Sequence, residues 1–200
     1  MTDFIRVFMP LFFIVFFLTA FFGTSFIVSK RIGKNPNVLP KDDSAYGLIG
    51  RYFKLTLIFL FIYTLLLFFF PSTSTLKSSI NFLENNLFKY VGIILMLFSL
   101  AWVLIAQFQM KNSWRIGIDE DHKTDLITNG LFNYSRNPVF LGMLLSLIGM
   151  FLTVPTFISL SFLIVANILI QTQIRLEEEF LLKQHDKVYL QYKAKVRRFL

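Results

Sequence analysis

Residues 9–28 run for twenty positions without one charged side chain, and comparable apolar stretches recur at about 50–70, 87–109, 138–153 and 155–174. No soluble surface tolerates such runs. A hydrocarbon core of about 30 Å takes roughly 20 apolar residues per helical crossing. Within lipid the backbone must satisfy its own hydrogen bonds, which favours helices. The sequence therefore predicts an all-α, polytopic membrane protein with about five transmembrane helices. The mean hydropathy of +0.61 and the 26 phenylalanines agree with it. Residues 1–200 are expected to form a single integral membrane domain, the length leaving no room for a separate soluble one.

Each run carries its own end signals. Pro10 suits an early helical position in the first. Residues 29–46 form a polar loop punctuated by Pro36 and Pro40, and Pro71 stops the second span. Residues 72–86 read as a polar connection with room for a short interfacial helix. Asn137-Pro138 offers an N-cap followed by proline at the first helical position, and Thr153 or Val154 before Pro155 repeats the pattern. The last two helices, joined by so tight a turn, form an antiparallel hairpin. Residues 175–200 then read as an amphipathic helix, with Leu176, Phe180, Val188, Tyr192 and Val196 on a four-residue grid. The first run lacks a basic leader and a small-residue cleavage site, so it is expected to stay as a helix.

Charge sets the topology. With five spans, the loop after the first helix counted through Lys54, the 110–137 loop and the 175–200 tail share one side and hold seventeen of the twenty Lys and Arg residues. The positive-inside rule places that side in the cytoplasm and the N-terminus outside. The net charge of +8 thus answers an anionic membrane rather than nucleic acid. Abundant Phe, Ile, Lys and Asn suit an AT-rich bacterial genome, and a bacterial inner membrane is the expected location.

Several chemistries are excluded at once. The chain has no cysteine and only His122 and His185 as histidines, so no metal site is expected. Glycine-rich nucleotide motifs are absent.

Two clusters can carry chemistry. The first, residues 126–142, packs a glycine, aromatics at Phe132, Tyr134 and Phe140, and Arg136 against a helix N-terminus that favours anions. It closes the 110–137 loop, where Trp114, Leu126, Ile127, Leu131, Phe132 and Tyr134 argue for a segment that packs. An interfacial aromatic belt with a snorkelling arginine is the plain alternative. The second is Glu177-Glu178-Glu179 behind Arg175, whose plain reading is a solvated face with Glu179 and Lys183 paired.

Taken together, Leu-Ile-Thr-x-Gly-x-Phe-x-Tyr-x-Arg-Asn-Pro-x-Phe-x-Gly at 126–142, Glu-Glu-x-x-Leu at 177–181, Tyr189-x-x-Tyr192 and Val196-Arg197-Arg198-Phe199 resemble the isoprenylcysteine carboxyl methyltransferase family. That family sits in a wider group with the phospholipid N-methyltransferases. The resemblance spans roughly Trp114 to the C-terminus. Asn137 stands where the family's motif has histidine, Phe140 where it has tyrosine, Asp186 where a glycine precedes the first tyrosine, and Gln173 where animal members place a substrate arginine.

The resemblance implies S-adenosylmethionine as cofactor, held by Leu126, Ile127, Phe132, Tyr134, Asn137, Pro138, Phe140 and Glu177. It implies methyl transfer to a lipophilic small-molecule or lipidated acceptor at the bilayer boundary, carboxyl O-methylation being favoured. A carboxylate acceptor is already ionised at neutral pH and needs only an orienting cation, from Arg175, Arg136 or Arg198. An amine acceptor, as in phospholipid N-methylation, needs a base, for which Glu178 is the candidate. An NADPH-dependent membrane reductase and a non-catalytic protein of the same fold are the other classes open to this pattern.

Overall fold

A computed structural model describes residues 3–40, 42–70, 80–118 and 124–200. Five helices organise them: α1 (Asp3–Ile32), α2 (Ala45–Phe69), α3 (Asn86–Met110), α4 (Pro138–Thr153) and α5 (Phe157–Lys195). By length and composition α1, α2, α3 and α5 can each cross a membrane, and α4 is a shorter apolar helix. Its 16 residues span about 24 Å. The all-α polytopic architecture is that expected from the hydropathy.

The ends differ from expectation in instructive ways. Helix α1 starts at Asp3, so Pro10 lies inside it, and it ends where Gly33 adopts φ 69°, a left-handed C-terminal cap. Helix α2 starts five residues earlier than residue 50, because the Ser44 side chain accepts the Gly47 N–H. The Pro71 stop, most of the 72–86 connection, Lys41, Lys77 and His122 lie outside the described residues. Between α4 and α5 the cap is Thr156, which exchanges hydrogen bonds with Ser159 in a capping box. Pro155 therefore precedes the cap and does not open the helix, correcting the expected Thr153 or Val154.

Inside the bundle, α3 and α4 touch almost backbone to backbone. A Cβ on Gly92 would sit 2.5 Å from the Gly149 carbonyl oxygen, and one on Gly149 would sit 2.6 Å from that of Gly92. Small residues let membrane helices approach this closely, because packing rather than water exclusion drives their association. Gly149→Ala is expected to force the helices apart and lower stability by about 1–3 kcal/mol, read as a fall in Tm in detergent.

A π-helical segment, Phe17–Gly23, interrupts α1. There the Thr24 N–H reaches back to the Thr19 oxygen, which leaves the Ala20 carbonyl available. The buried Gln107 of α3 donates to it at 2.7 Å and accepts from the Thr24 hydroxyl at 3.0 Å. A polar side chain within the span is thereby satisfied on both atoms.

Helix α5 continues past its apolar part, residues 157–174, directly into the charged part, and runs about 43 Å from Phe157 to His185 before a kink at Asp186 sets off a shorter helical stretch ending at Lys195. The four-residue grid fails at Asp186, whose φ 44°, ψ −121° is non-helical. The register shifts there: Val188 is 60% exposed, while Tyr189 and Tyr192 are buried. This backbone conformation suits glycine, and for other residues it costs of order 1–3 kcal/mol. Asp186→Gly is accordingly expected to raise Tm by about 2–4 °C, measured by thermal unfolding in detergent. A drop would show that the side chain matters more than the backbone.

The three basic segments gather at one end of the bundle. The loop after α1 bridges to the 110–137 loop through Val38 N–H to Ile116 O and Ile116 N–H to Pro36 O, both 3.0 Å. The Tyr46 hydroxyl donates to the Leu176 carbonyl at 3.4 Å. This is the side-sharing that the charge distribution required.

Candidate active site

The 124–138 segment is shaped from beneath by α3. Gly130, at φ 62°, packs on the Gln109 carboxamide where any Cβ would clash, and Gln109 accepts the Leu131 N–H at 2.8 Å. A short 3-10 turn, Gly130–Asn133, follows and buries Phe132. The Trp102 indole N–H then donates to the Pro138 carbonyl at 3.0 Å, holding the start of α4. Trp114 and Phe132 are buried, as expected of a loop that packs, but Tyr134 is 68% exposed.

The C-terminal arm closes on this segment. Arg136 N–H donates to Arg197 O at 3.0 Å, the Asn137 amide to Arg198 O at 3.1 Å, and the Tyr192 hydroxyl to Phe132 O at 2.7 Å. Asn137 occupies the N-cap position of α4 without capping it; its side chain instead fastens the arm.

Glu178 sits at the centre of this junction, 6% exposed. Arg136 Nη2 approaches its Oε1 at 2.8 Å, Arg198 Nη2 its Oε2 at 2.8 Å, and Lys193 Nζ the same oxygen at 3.6 Å. Burial alone would raise its pKa, but hydrogen bonds and charge from the two guanidinium groups prevail and lower it to about 2. The same carboxylate's charge adds to burial in pushing the Tyr189 phenol up to about 12. An acid so held does not accept protons near neutral pH, which removes the physical basis for the base role expected of Glu178.

Glu177, one residue away, is the opposite case. It is partly buried and faces a cleft of about 750 Å³, open mouth included, with Phe132, Phe180, Tyr189 and Tyr192 around it. Its one hydrogen bond among the described residues comes from the Gln173 amide at 2.9 Å. Burial therefore wins over that bond, and the pKa rises to about 7.

The candidate residues thus divide. Leu126, Ile127, Phe132, Arg136 and Glu177 line the cleft. Asn137 and Pro138 are buried behind it, and Phe140 packs with Leu144, Ile170 and Ile174. Tyr134 points to the exterior, and Arg175 is exposed with its guanidinium on the Gln171 carbonyl at 2.7 Å. The wall formed by Met110, Ser113, Arg115, Gly117 and Ile118 belongs to the 110–137 loop that was expected to form the site, though none of these residues was singled out. Gly117, at φ 96°, was its one legible mark. No group of three or more potential metal ligands occurs among the described residues.

Residues 87–188 match the phospholipid methyltransferase family, and the chain belongs to that family. No curated protein matches the chain. The protein is therefore a membrane-embedded methyltransferase of an S-adenosylmethionine-using group, related to the isoprenylcysteine enzymes but not shown to be one of them.

Proposed function

We propose that this protein methylates the nitrogen of an amine-bearing lipid, with Glu177 as proton acceptor. The observation that carries this reading is the position of Glu177: a carboxylate with a pKa near 7 facing an aromatic cleft. The lining suits S-adenosylmethionine. Its sulfonium is a cation, and a poorly solvated carboxylate beside π faces favours cations. Leu126, Ile127, Phe132 and Glu177 would hold it, and once bound it supplies an electrophilic methyl group.

The chain's own residues then have three tasks. The aromatic wall excludes water and fixes approach geometry. Glu177 removes the proton that makes an ammonium unreactive, and its pKa is matched to that work. Arg136 and Glu178 keep the wall closed. Carboxyl O-methylation, favoured by the motif alone, finds less support here. Of the three cations expected to orient a carboxylate, Arg136 and Arg198 are committed to Glu178, and Arg175 does not line the cleft. The family match favours N-methylation as well. The whole of residues 1–200 would act as one membrane unit with the site end in the cytoplasm, where seventeen basic residues meet an anionic leaflet.

The test is transfer of labelled methyl from S-adenosylmethionine in nanodiscs containing an ethanolamine-headgroup phospholipid. Alkali-stable label on the headgroup nitrogen is expected. Label released as methanol by mild base would identify an ester and overturn the proposal.

A further inference from the structure

In the apolar part of helix α5, one carboxamide has no hydrogen-bond partner among the described residues, that of Asn167. Asn167 lies ten residues into the apolar part that begins at Phe157, about 15 Å along the axis and so close to the middle of the hydrocarbon. The side chain is exposed.

The other polar side chains nearby each make at least one hydrogen bond. Gln107 bonds to α1, Gln171 accepts from Arg175, and Gln173 donates to Glu177. The Ser161 and Thr172 hydroxyls return to carbonyls of their own helix at 2.8 and 2.9 Å. Asparagine is too short to reach the interface, and an amide facing hydrocarbon without a partner is costly.

Around Asn167 the surface of α5 is open. Ile164 and Ile168 are 51% and 59% exposed. With Gln171 and Arg175 they place residues 164, 167, 168, 171 and 175 on one stripe, at the spacing of a helix–helix seam. One turn beyond, Arg175 and Glu179 are both exposed and share no ion pair among the described residues, so each copy offers a cation and an anion to the other.

We propose that α5 pairs with α5 of a second copy, side by side in the membrane, with the two Asn167 amides bonded across a twofold axis. Interhelical hydrogen bonds of asparagine drive such association in lipid. A twofold pair lets each amide donate to and accept from its mate, and parallel chains set Arg175 of one copy near Glu179 of the other. This pairing involves neither the cleft nor the methyl-transfer chemistry, so it stands or falls separately from the proposed activity.

The chain has no cysteine, which makes single-cysteine cross-linking in native membranes free of background. Ile168→Cys is expected to form a disulfide-linked dimer on mild oxidation. Ile94→Cys, at an equally exposed site on α3, is expected not to. Adding Asn167→Leu to Ile168→Cys should weaken pairing roughly tenfold, whereas Asn167→Gln should restore much of it. Equal cross-linking at both sites, or a dimer indifferent to Asn167→Leu, would overturn the proposal. So would a purely monomeric chain, or a change only in the KM of a lipid acceptor, which would make Asn167 a lipid contact.

Discussion

Replacing Glu178 with alanine is expected to open the C-terminal arm and lower stability by about 3 kcal/mol, since it leaves the Arg136 guanidinium without its counter-charge. Arg136, 8% exposed at its side chain, is left with neutral partners such as the Lys193 and Val196 carbonyls. The same carboxylate gives a pH signature. Its folded pKa of about 2 lies below the ordinary value near 4.5, so the folded state binds its proton less readily than the unfolded chain does. The stabilisation is complete above about pH 5 and fades as pH falls toward 2. Thermal unfolding of the detergent-solubilised protein across that range should show Tm dropping in the wild type, with a shallower slope in Glu178→Gln. A parallel slope in both would assign the acid sensitivity to other groups.

Glu177→Gln is expected to have the reverse profile: little loss of stability, or a gain, with methyl transfer reduced by about 10²-fold or more. The folded pKa near 7 lies above the unfolded one. Glu177 therefore weakens the fold progressively as pH rises from about 4.5 to 7, and an uncharged amide removes that cost. In the wild type the rate should climb through pH 7 as Glu177 loses its proton, and this limb should vanish in the variant. Equal activity in Glu177→Gln would sink the base assignment. An equal loss in stability would make the residue a structural one.

These two neighbours show where sequence reading stops. Hydropathy identified all five helices, and charge counting gathered the right three segments at one end, because lipid imposes those patterns residue by residue. The convergence of residues 126–142 on the glutamate turn was also legible, through motif spacing. What could not be read was which glutamate faces which way. Adjacent helical positions differ by about 100° in direction, so one points at two arginines and the other into the cleft. The partners of Glu178, Arg136 and Arg198, lie 42 and 20 positions away, and no local pattern encodes that meeting. Tyr134 and Phe140, which the resemblance assigns to the cofactor, do not line this cleft: Tyr134 is exposed after a 3-10 turn, and Phe140 packs with Leu144, Ile170 and Ile174. Val188 was placed on the buried stripe by extrapolating a helix through Asp186, which the backbone does not continue.

The bridge between Val38 and Ile116 ties the rim of the cleft to a loop nearly eighty residues earlier in the chain. Gly117 lines the cleft and also lies against Leu39, with room for no side chain between them. A side chain added at Gly117 would therefore press on both the cleft and the 36–39 loop, so the shape of the rim is set in part by a segment that follows the first helix.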